Sequence, residues 1–390
     1  MHNSGDYNIG TRIKTNDPVN RSYYSHDPTA IAGHTAALVT DESSTQLSDE
    51  FAGQLNRHSA CVDCHNPHSS DSTASVMTPL PGSLGWTASG RVIGATGVEV
   101  SNGGAATAPT YRLLGRPSGG TTREYQLCFK CHSGYTTIDN TGFESRPSMW
   151  WLDKGVELNP ANPSFHPVEG AGTNQTPAMA LSLTGTSPSV SDGLELKLWS
   201  FSTQDTVRCT NCHASDPRDV NAGAGQDSPP HVSSNRGILV KSYEDRVLKA
   251  TGDPYNQADF ELCYGCHTNQ PFTSDKSRAT NFPGHDLHIS GMSTAGGSPT
   301  GSKDINALGD GSGNAICAEC HFRLHSTTNS VGDTNANKRL VEFSPNVAGV
   351  GANAPAFTLG LDGDGLMRGT CAVTCHGHEH SADDYYTYTP

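Results

Sequence analysis

Cysteine and histidine recur together in this chain at a spacing that suits one kind of chemistry. Five stretches read Cys61-Val62-Asp63-Cys64-His65, Cys128-Phe129-Lys130-Cys131-His132, Cys209-Thr210-Asn211-Cys212-His213, Cys263-Tyr264-Gly265-Cys266-His267 and Cys317-Ala318-Glu319-Cys320-His321. A sixth, Cys371-Ala372-Val373-Thr374-Cys375-His376, carries one more residue between its thiols. Together they use all 12 cysteines. Two thiols in a close pair with an imidazole directly after them can add across the two vinyl groups of a porphyrin while the imidazole ligates its iron, the attachment of c-type haem. The prediction is six haem c groups, with thioethers at the twelve cysteines and His65, His132, His213, His267, His321 and His376 as proximal ligands. Structural zinc would need pairs that close one tetrahedron, with no call for a histidine after each pair. A disulfide framework belongs to short, cysteine-dense domains, whereas 390 residues here carry 12 cysteines in close pairs. No βαβ pattern surrounds any pair, which sets aside a thioredoxin-like redox motif.

The other histidines decide what such haems do. Eighteen histidines leave twelve beyond the proximal six. Methionine is the competing distal ligand, but the six methionines show no recurring offset from the motifs. Bis-histidine ligation is therefore predicted, with distal candidates His26, His68, His166, His231, His288, His325 and His380. His68 and His325 lie three and four residues past their own proximal histidines, too close to reach the far face of the same iron, so each is expected to serve a neighbouring haem. His166 and His231 sit beside prolines in extended segments, His288 is preferred over His285, and His380 over His378.

The elements that must hold these groups are sparse. Apolar residues make up 34%, while Gly 42 and Pro 23 together are about a sixth of the chain. Such a composition drifts toward loop-rich chains, yet 390 residues are enough for a sizeable core. Flat apolar macrocycles would supply the missing bulk. The expected fold class is mostly irregular coil with short helices at the haem motifs and little sheet, a single body over 1–390 organised around a chain of six covalent haems. Glycine-rich stretches Gly90–Gly104, Ala171–Gly193 and Gly291–Gly313 read as surface loops. First cysteines follow one another at 67, 81, 54, 54 and 54 residues, which suggests repeated modules of about 54 residues from 209 onward. Asp310-Gly-Ser-Gly313 and Asp362-Gly-Asp364-Gly365 resemble calcium loops but lack the glutamate of that motif, and read as plain turns.

With 25 basic against 39 acidic residues, the chain lacks the basic stripe that nucleic acid requires. It also lacks the positive charge that would dock it on an anionic membrane, and no run of apolar residues is long enough to span one. The opening residues show neither the basic nor the apolar region of a secretory leader. Because covalent haem is attached outside the bacterial inner membrane, the expectation is an exported protein, extracellular or at the cell surface, with the periplasm as the alternative. The printed chain is then a mature form or one whose true start is missing.

Cys61-Val-Asp-Cys-His-Asn-Pro-His68, Leu127-Cys-Phe-Lys-Cys-His132, Leu262-Cys-Tyr-Gly-Cys-His267, Cys320-His-Phe-Arg-Leu-His325 and Thr374-Cys-His-Gly377 with His380 resemble the large exported multihaem c-type cytochromes of Geobacter-type metal-reducing bacteria, filament-forming hexahaem members among them. The likeness runs from about Ser25 to His380 and is carried by the haem neighbourhoods. It implies a continuous stack of bis-histidine haems and polymerisation in which one subunit ligates a haem of the next. The opening Met1-His2-Asn3-Ser4 is similar to residues that follow a haem motif in that family, which adds His2 as a distal candidate. The resemblance implies extracellular electron transfer along a cytochrome filament, with copies of itself, redox donor and acceptor proteins or extracellular minerals as partners. A monomeric periplasmic or cell-surface electron carrier is the alternative. A multihaem reductase is disfavoured because all six motifs end in histidine and distal candidates are plentiful. The chain is expected to be an electron-transfer protein and not an enzyme.

Overall fold

The computed structural model describes residues 16–17, 21–22, 24–25, 61–69, 87–115, 120–135, 153–184, 199–214, 230–233, 235–241, 243, 261–268, 316–325, 338–344, 347–361, 367–375 and 378–380. His2, His26, His288, His376 and the acidic turns at Asp310 and Asp362 lie outside them. Contacts gather the chain into two units: Met1–Asn162, His166–Gly172 and Asp205–Val240 in the first; Pro163–Phe165, Thr173–Gln204 and Lys241–Pro390 in the second. The first three motifs fall in the first unit and the last three in the second.

In the first unit three two-residue strands come first: β1 (Asn16–Asp17), β2 (Arg21–Ser22) and β3 (Tyr24–Ser25). Helix α1 (Cys61–Cys64) is a single turn, closed by the His65 amide donating to the Cys61 carbonyl at 2.8 Å. Strands β4 (Gly97–Ser101) and β5 (Thr110–Leu114) pair antiparallel, Val98 opposite Leu113 and Val100 opposite Tyr111. Part of Gly90–Gly104 is thus a paired strand and not a surface loop: Val98 is fully buried, and a Cβ on Gly97 would meet Thr121 Oγ1 at 2.3 Å, so glycine there permits a close approach. Helix α2 (Glu124–His132) carries the second motif, and α3 (Lys154–Glu157) follows. Gln126 Oε1 accepts from the Arg123 amide at 3.0 Å and starts α2 as a capping box does.

Among the described residues of this unit, an apolar cluster gathers on one face of α2. Tyr125 and Phe129, four apart, share one side of the helix with ring centroids 5.3 Å apart. Leu158 and Val168 complete the cluster, with Val100, Val207 and Cys209 packed against it. Because the chain is poor in apolar side chains, buried amides fill the rest. Asn162 donates to the Val156 and Glu157 carbonyls and accepts from the Ala106 amide; Asn159 donates to the Gly104 carbonyl. Buried polar groups satisfied in this way fix geometry that a thin apolar core leaves loose.

The second unit contains α4 (Pro177–Thr184), which lies inside Ala171–Gly193, so that stretch too is more than a surface excursion. Helix α5 (Cys209–Cys212), in the first unit, carries the third motif, and its start is held by Asn211 Oδ1 accepting from the Arg208 amide at 2.7 Å. Strand β6 (Val232–Ser233) pairs with β3, Ser25 opposite Val232. Helices α6 (Glu261–Tyr264) and α7 (Cys317–Cys320) belong to the fourth and fifth motifs. Strands β7 (Ala356–Leu361), β8 (Met367–Cys375) and β9 (His378–His380) form an antiparallel sheet with β8 in the middle. The sixth cysteine motif is therefore on a strand, where a short helix was expected. Its inserted residue breaks the one-turn spacing, and Val373 and Thr374 are β-branched residues that favour extended backbone. Among the described residues no helix is long and apolar enough to cross a membrane.

Glu169 in the first unit is buried, with Asn102 Nδ2 donating to one of its oxygens at 2.8 Å. Burial pushes its acid up from 4.5 to about 8. A group that holds its proton more tightly when folded stabilises the fold fully below the unfolded value and loses that contribution as pH rises through the folded one. Stability should accordingly fall between about pH 4.5 and pH 8. Denaturant unfolding across that range should show a flatter profile for Glu169→Gln than for the parent chain.

Candidate haem attachment sites

At four described motifs the turn is closed by the histidine amide donating to the carbonyl of the first cysteine, at 2.8 to 2.9 Å. The second motif lies in the last five residues of α2. Both arrangements place the first and second cysteines one helical turn apart, about 5–6 Å between Cβ atoms. The eleven cysteines from Cys61 to Cys371 are thiols, not disulfides. Burial pushes the Cys64 thiol up to about 11 and the Cys131 thiol up to about 12. Such surroundings disfavour the thiolates that zinc or a nucleophilic cysteine requires. They suit a thioether, which carries no charge.

A haem-ligating imidazole must offer one nitrogen to iron, which the chain can ensure by occupying the other. His65 Nδ1 is 3.0 Å from the Arg91 carbonyl, His213 Nδ1 is 2.8 Å from the Gly237 carbonyl, and His321 Nδ1 is 3.0 Å from the Leu340 carbonyl. Each carbonyl lies on a three-residue 3-10 turn, at Gly90–Val92, Arg236–Ile238 or Lys338–Leu340, 19 to 26 residues downstream of its histidine. Gly237, Ile238, Arg339 and Leu340 in the latter two turns all have positive φ. For Ile238, Arg339 and Leu340 this is a strained conformation, and it is stored where it aims a carbonyl at an imidazole. After two of the turns the chain runs alongside its motif: the Val240 amide donates to the Cys212 carbonyl at 2.8 Å, and the Glu342 amide to the Cys320 carbonyl at 2.9 Å. Sequence reading missed these turns. Their only signal is a basic residue ahead of aliphatic ones, as in Gly90-Arg91-Val92-Ile93, Arg236-Gly237-Ile238-Leu239 and Lys338-Arg339-Leu340-Val341. His267 is held differently, with Nδ1 2.6 Å from Ser182 Oγ on α4. Burial holds His321 below its ordinary value, which keeps it the neutral imidazole that binds metal.

One distal candidate is brought to a proximal histidine. The rings of His65 and His231 have centroids 6.1 Å apart and planes inclined by 67°. An iron bonded to both at about 2 Å per nitrogen, each centroid roughly 1 Å behind its nitrogen, would hold the centroids about 6 Å apart. The residues present thus fit a haem iron between them. His68 is exposed, its amide bound to Asn66 Oδ1 at 3.0 Å; His166 and His325 are half-buried; His380 is buried on β9 opposite Val373. Among the described residues no three His, Cys, Asp or Glu side chains converge into a metal cage of protein groups alone.

Neighbouring motifs touch. Lys130, fully buried, donates through Nζ to the Asp63 carbonyl of the first motif at 2.5 Å and to Thr96 Oγ1 at 2.8 Å. Glu124 on α2 accepts from the Thr210 amide at 3.0 Å and its hydroxyl at 2.8 Å, joining the second motif to the third. The Cys128 thiol lies beside Cys209, and that neighbour together with burial pushes the Cys209 thiol well up. In the second unit the Cys263 thiol lies beside Cys317 in the same way, and the same causes push the Cys317 thiol up. From Glu342, on the Cys320 carbonyl, the chain continues to Ala348, which exchanges two backbone hydrogen bonds with Thr374 of the sixth motif. That sixth motif is the exception in its own geometry. Four steps along a strand separate the Cα atoms of Cys371 and Cys375 by about 13 Å, so the close pair seen at the other five is lacking.

Compared with known proteins, the chain matches no family model, no curated protein and no solved structure.

Thr210→Val removes the hydroxyl that donates to the buried Glu124 carboxylate, and should cost about 1–3 kcal/mol of unfolding free energy. Thr210→Ser, which keeps the donor, should recover most of it. Denaturant unfolding of both variants checks the tie between α2 and α5.

Proposed function

We propose that this chain transfers electrons through covalently attached c-type haems, six by cysteine count, and that it is a carrier and not a catalyst. The opposition of His65 and His231 at 6.1 Å carries the reading. Two imidazoles on one iron leave no open position for a substrate, and such a centre can only exchange electrons. The Arg91 carbonyl occupies His65 Nδ1, which leaves Nε2 as the nitrogen for iron. The cysteines supply the covalent anchor, and haem bound there supplies a one-electron couple.

The contacts between motifs support relay along the chain. A thioether sulfur lies one bond from its macrocycle substituent, so Cys128 beside Cys209, and Cys263 beside Cys317, would bring the edges of consecutive haems together. The proposed order follows the chain, first to third in one unit and fourth to sixth in the other. At the sixth motif, a single porphyrin reaching both sulfurs requires β8 to leave its extended path near Cys375. An external acceptor and assembly into filaments follow from the resemblance of the haem neighbourhoods; a monomeric carrier would use the same sites.

The pyridine haemochrome assay on protein exported by a cytochrome-maturing host should give six haems per chain. In that protein His65→Ala and His231→Ala should each convert one haem from low to high spin, seen by electron paramagnetic resonance. The double variant should convert one and not two. Two independent conversions would mean that the histidines serve different irons. Electron microscopy of material sheared from the cell surface separates the assembled form from the monomer: filaments with haem density continuous across subunits support assembly, and discrete particles remove it.

A further inference from the structure

At His65, His213, His267 and His321 a polar group lies within hydrogen-bond distance of Nδ1, and one of these partners differs in chemistry. His65, His213 and His321 face backbone carbonyls, whereas His267 faces the hydroxyl of Ser182 at 2.6 Å. Ser182 is 1% exposed and is fixed twice: its oxygen Oγ meets the imidazole, and its backbone carbonyl accepts from the Thr268 amide at 2.7 Å. Helix α4, from a glycine-rich stretch remote in sequence, thus stands behind the fourth motif where a 3-10 turn stands behind the first, third and fifth.

The acceptor on Nδ1 adjusts what the imidazole gives to iron. The more strongly Nδ1–H is drawn toward its partner, the more imidazolate character the ring gains and the more it stabilises ferric over ferrous iron. An amide carbonyl is a strong acceptor with no proton of its own. An alcohol oxygen is weaker and carries its own hydrogen. By acceptor type, His267 would be the least electron-donating of these four ligands.

We propose that Ser182 is a positioning residue that sets the fourth haem site apart, holding its reduction potential above those of the three sites whose proximal imidazole is bound by a carbonyl. The inference rests on the haem reading given above. Each transfer is a single-electron exchange in which one iron is oxidised as its neighbour is reduced, so a raised fourth site draws electrons from the fifth. The relay is then graded and not level.

Two substitutions in the haem-loaded chain test this, read by spectroelectrochemical titration. Ser182→Asn presents an amide carbonyl to Nδ1 and should move one midpoint potential down. Ser182→Ala removes the acceptor and should move the same potential up. Opposite shifts confined to one haem support the proposal, since a loosened helix would move both variants the same way. No shift, shifts of one sign, or shifts spread over several haems overturn it. The pyridine haemochrome count on the same preparations separates the two levels of the argument. Six haems with unmoved potentials sink the role of Ser182 alone; a chain without covalent haem sinks the haem reading as well.

Discussion

Each proximal imidazole has two nitrogens, and tying one of them down shapes much of the described chain around it. At His65, His213 and His321 the tie is a backbone carbonyl that arrives 19 to 26 residues later. To deliver it the chain must leave the motif, turn, and return with its carbonyl pointed inward. That return accounts for the 3-10 turns at Gly90–Val92, Arg236–Ile238 and Lys338–Leu340. It also accounts for positive φ at Ile238, Arg339 and Leu340, residues that do not adopt it willingly. The strain persists because the flanking chain is pinned, by Val240 on the Cys212 carbonyl and Glu342 on the Cys320 carbonyl.

The second theme is polar chemistry doing what apolar packing does in richer chains. One cluster around Tyr125 and Phe129 is the apolar centre of the first unit. Around it, Lys130, Glu124, Asn159 and Asn162 are buried and bonded. Three of these are useful beyond filling space. Lys130 spans from the second motif to the first, Glu124 from the second to the third, and Asn162 anchors the loop before β5. Directional bonds of this kind fix motif against motif, whereas hydrophobic burial alone would let them slide. Registration of this kind is what the proposed relay between neighbouring haems would require.

The motifs are alike in covalent pattern but not in support. The first, third and fifth share the carbonyl turn, the fourth leans on Ser182 of α4, and the sixth lies on the central strand of a three-stranded sheet. Along the run of equal 54-residue spacing the supports alternate: a backbone carbonyl at His213, the Ser182 hydroxyl at His267 and a backbone carbonyl again at His321. Variation in support on a constant covalent theme is how one cofactor type can be given several potentials.

The sequence by itself determined the cysteine pairs, the histidine after each and the prediction of covalent haem, because those features live within five or six consecutive residues. Helical turns at five pairs follow from the same local spacing, and the odd sixth spacing already set that motif apart. Tertiary structure alone decided which distant groups meet. His231 meets the ring of His65, far upstream in the chain. Ser182 reaches His267 from 85 residues upstream. Glu124 reaches Thr210, 86 residues on. Two of the glycine-rich stretches misled for the same reason: Val98 in β4 and Ser182 in α4 are buried by partners that local composition does not reveal. Covalent chemistry is short-ranged and is written in neighbouring letters, while ligand pairing and proton partners depend on chain return, which is a property of the folded path.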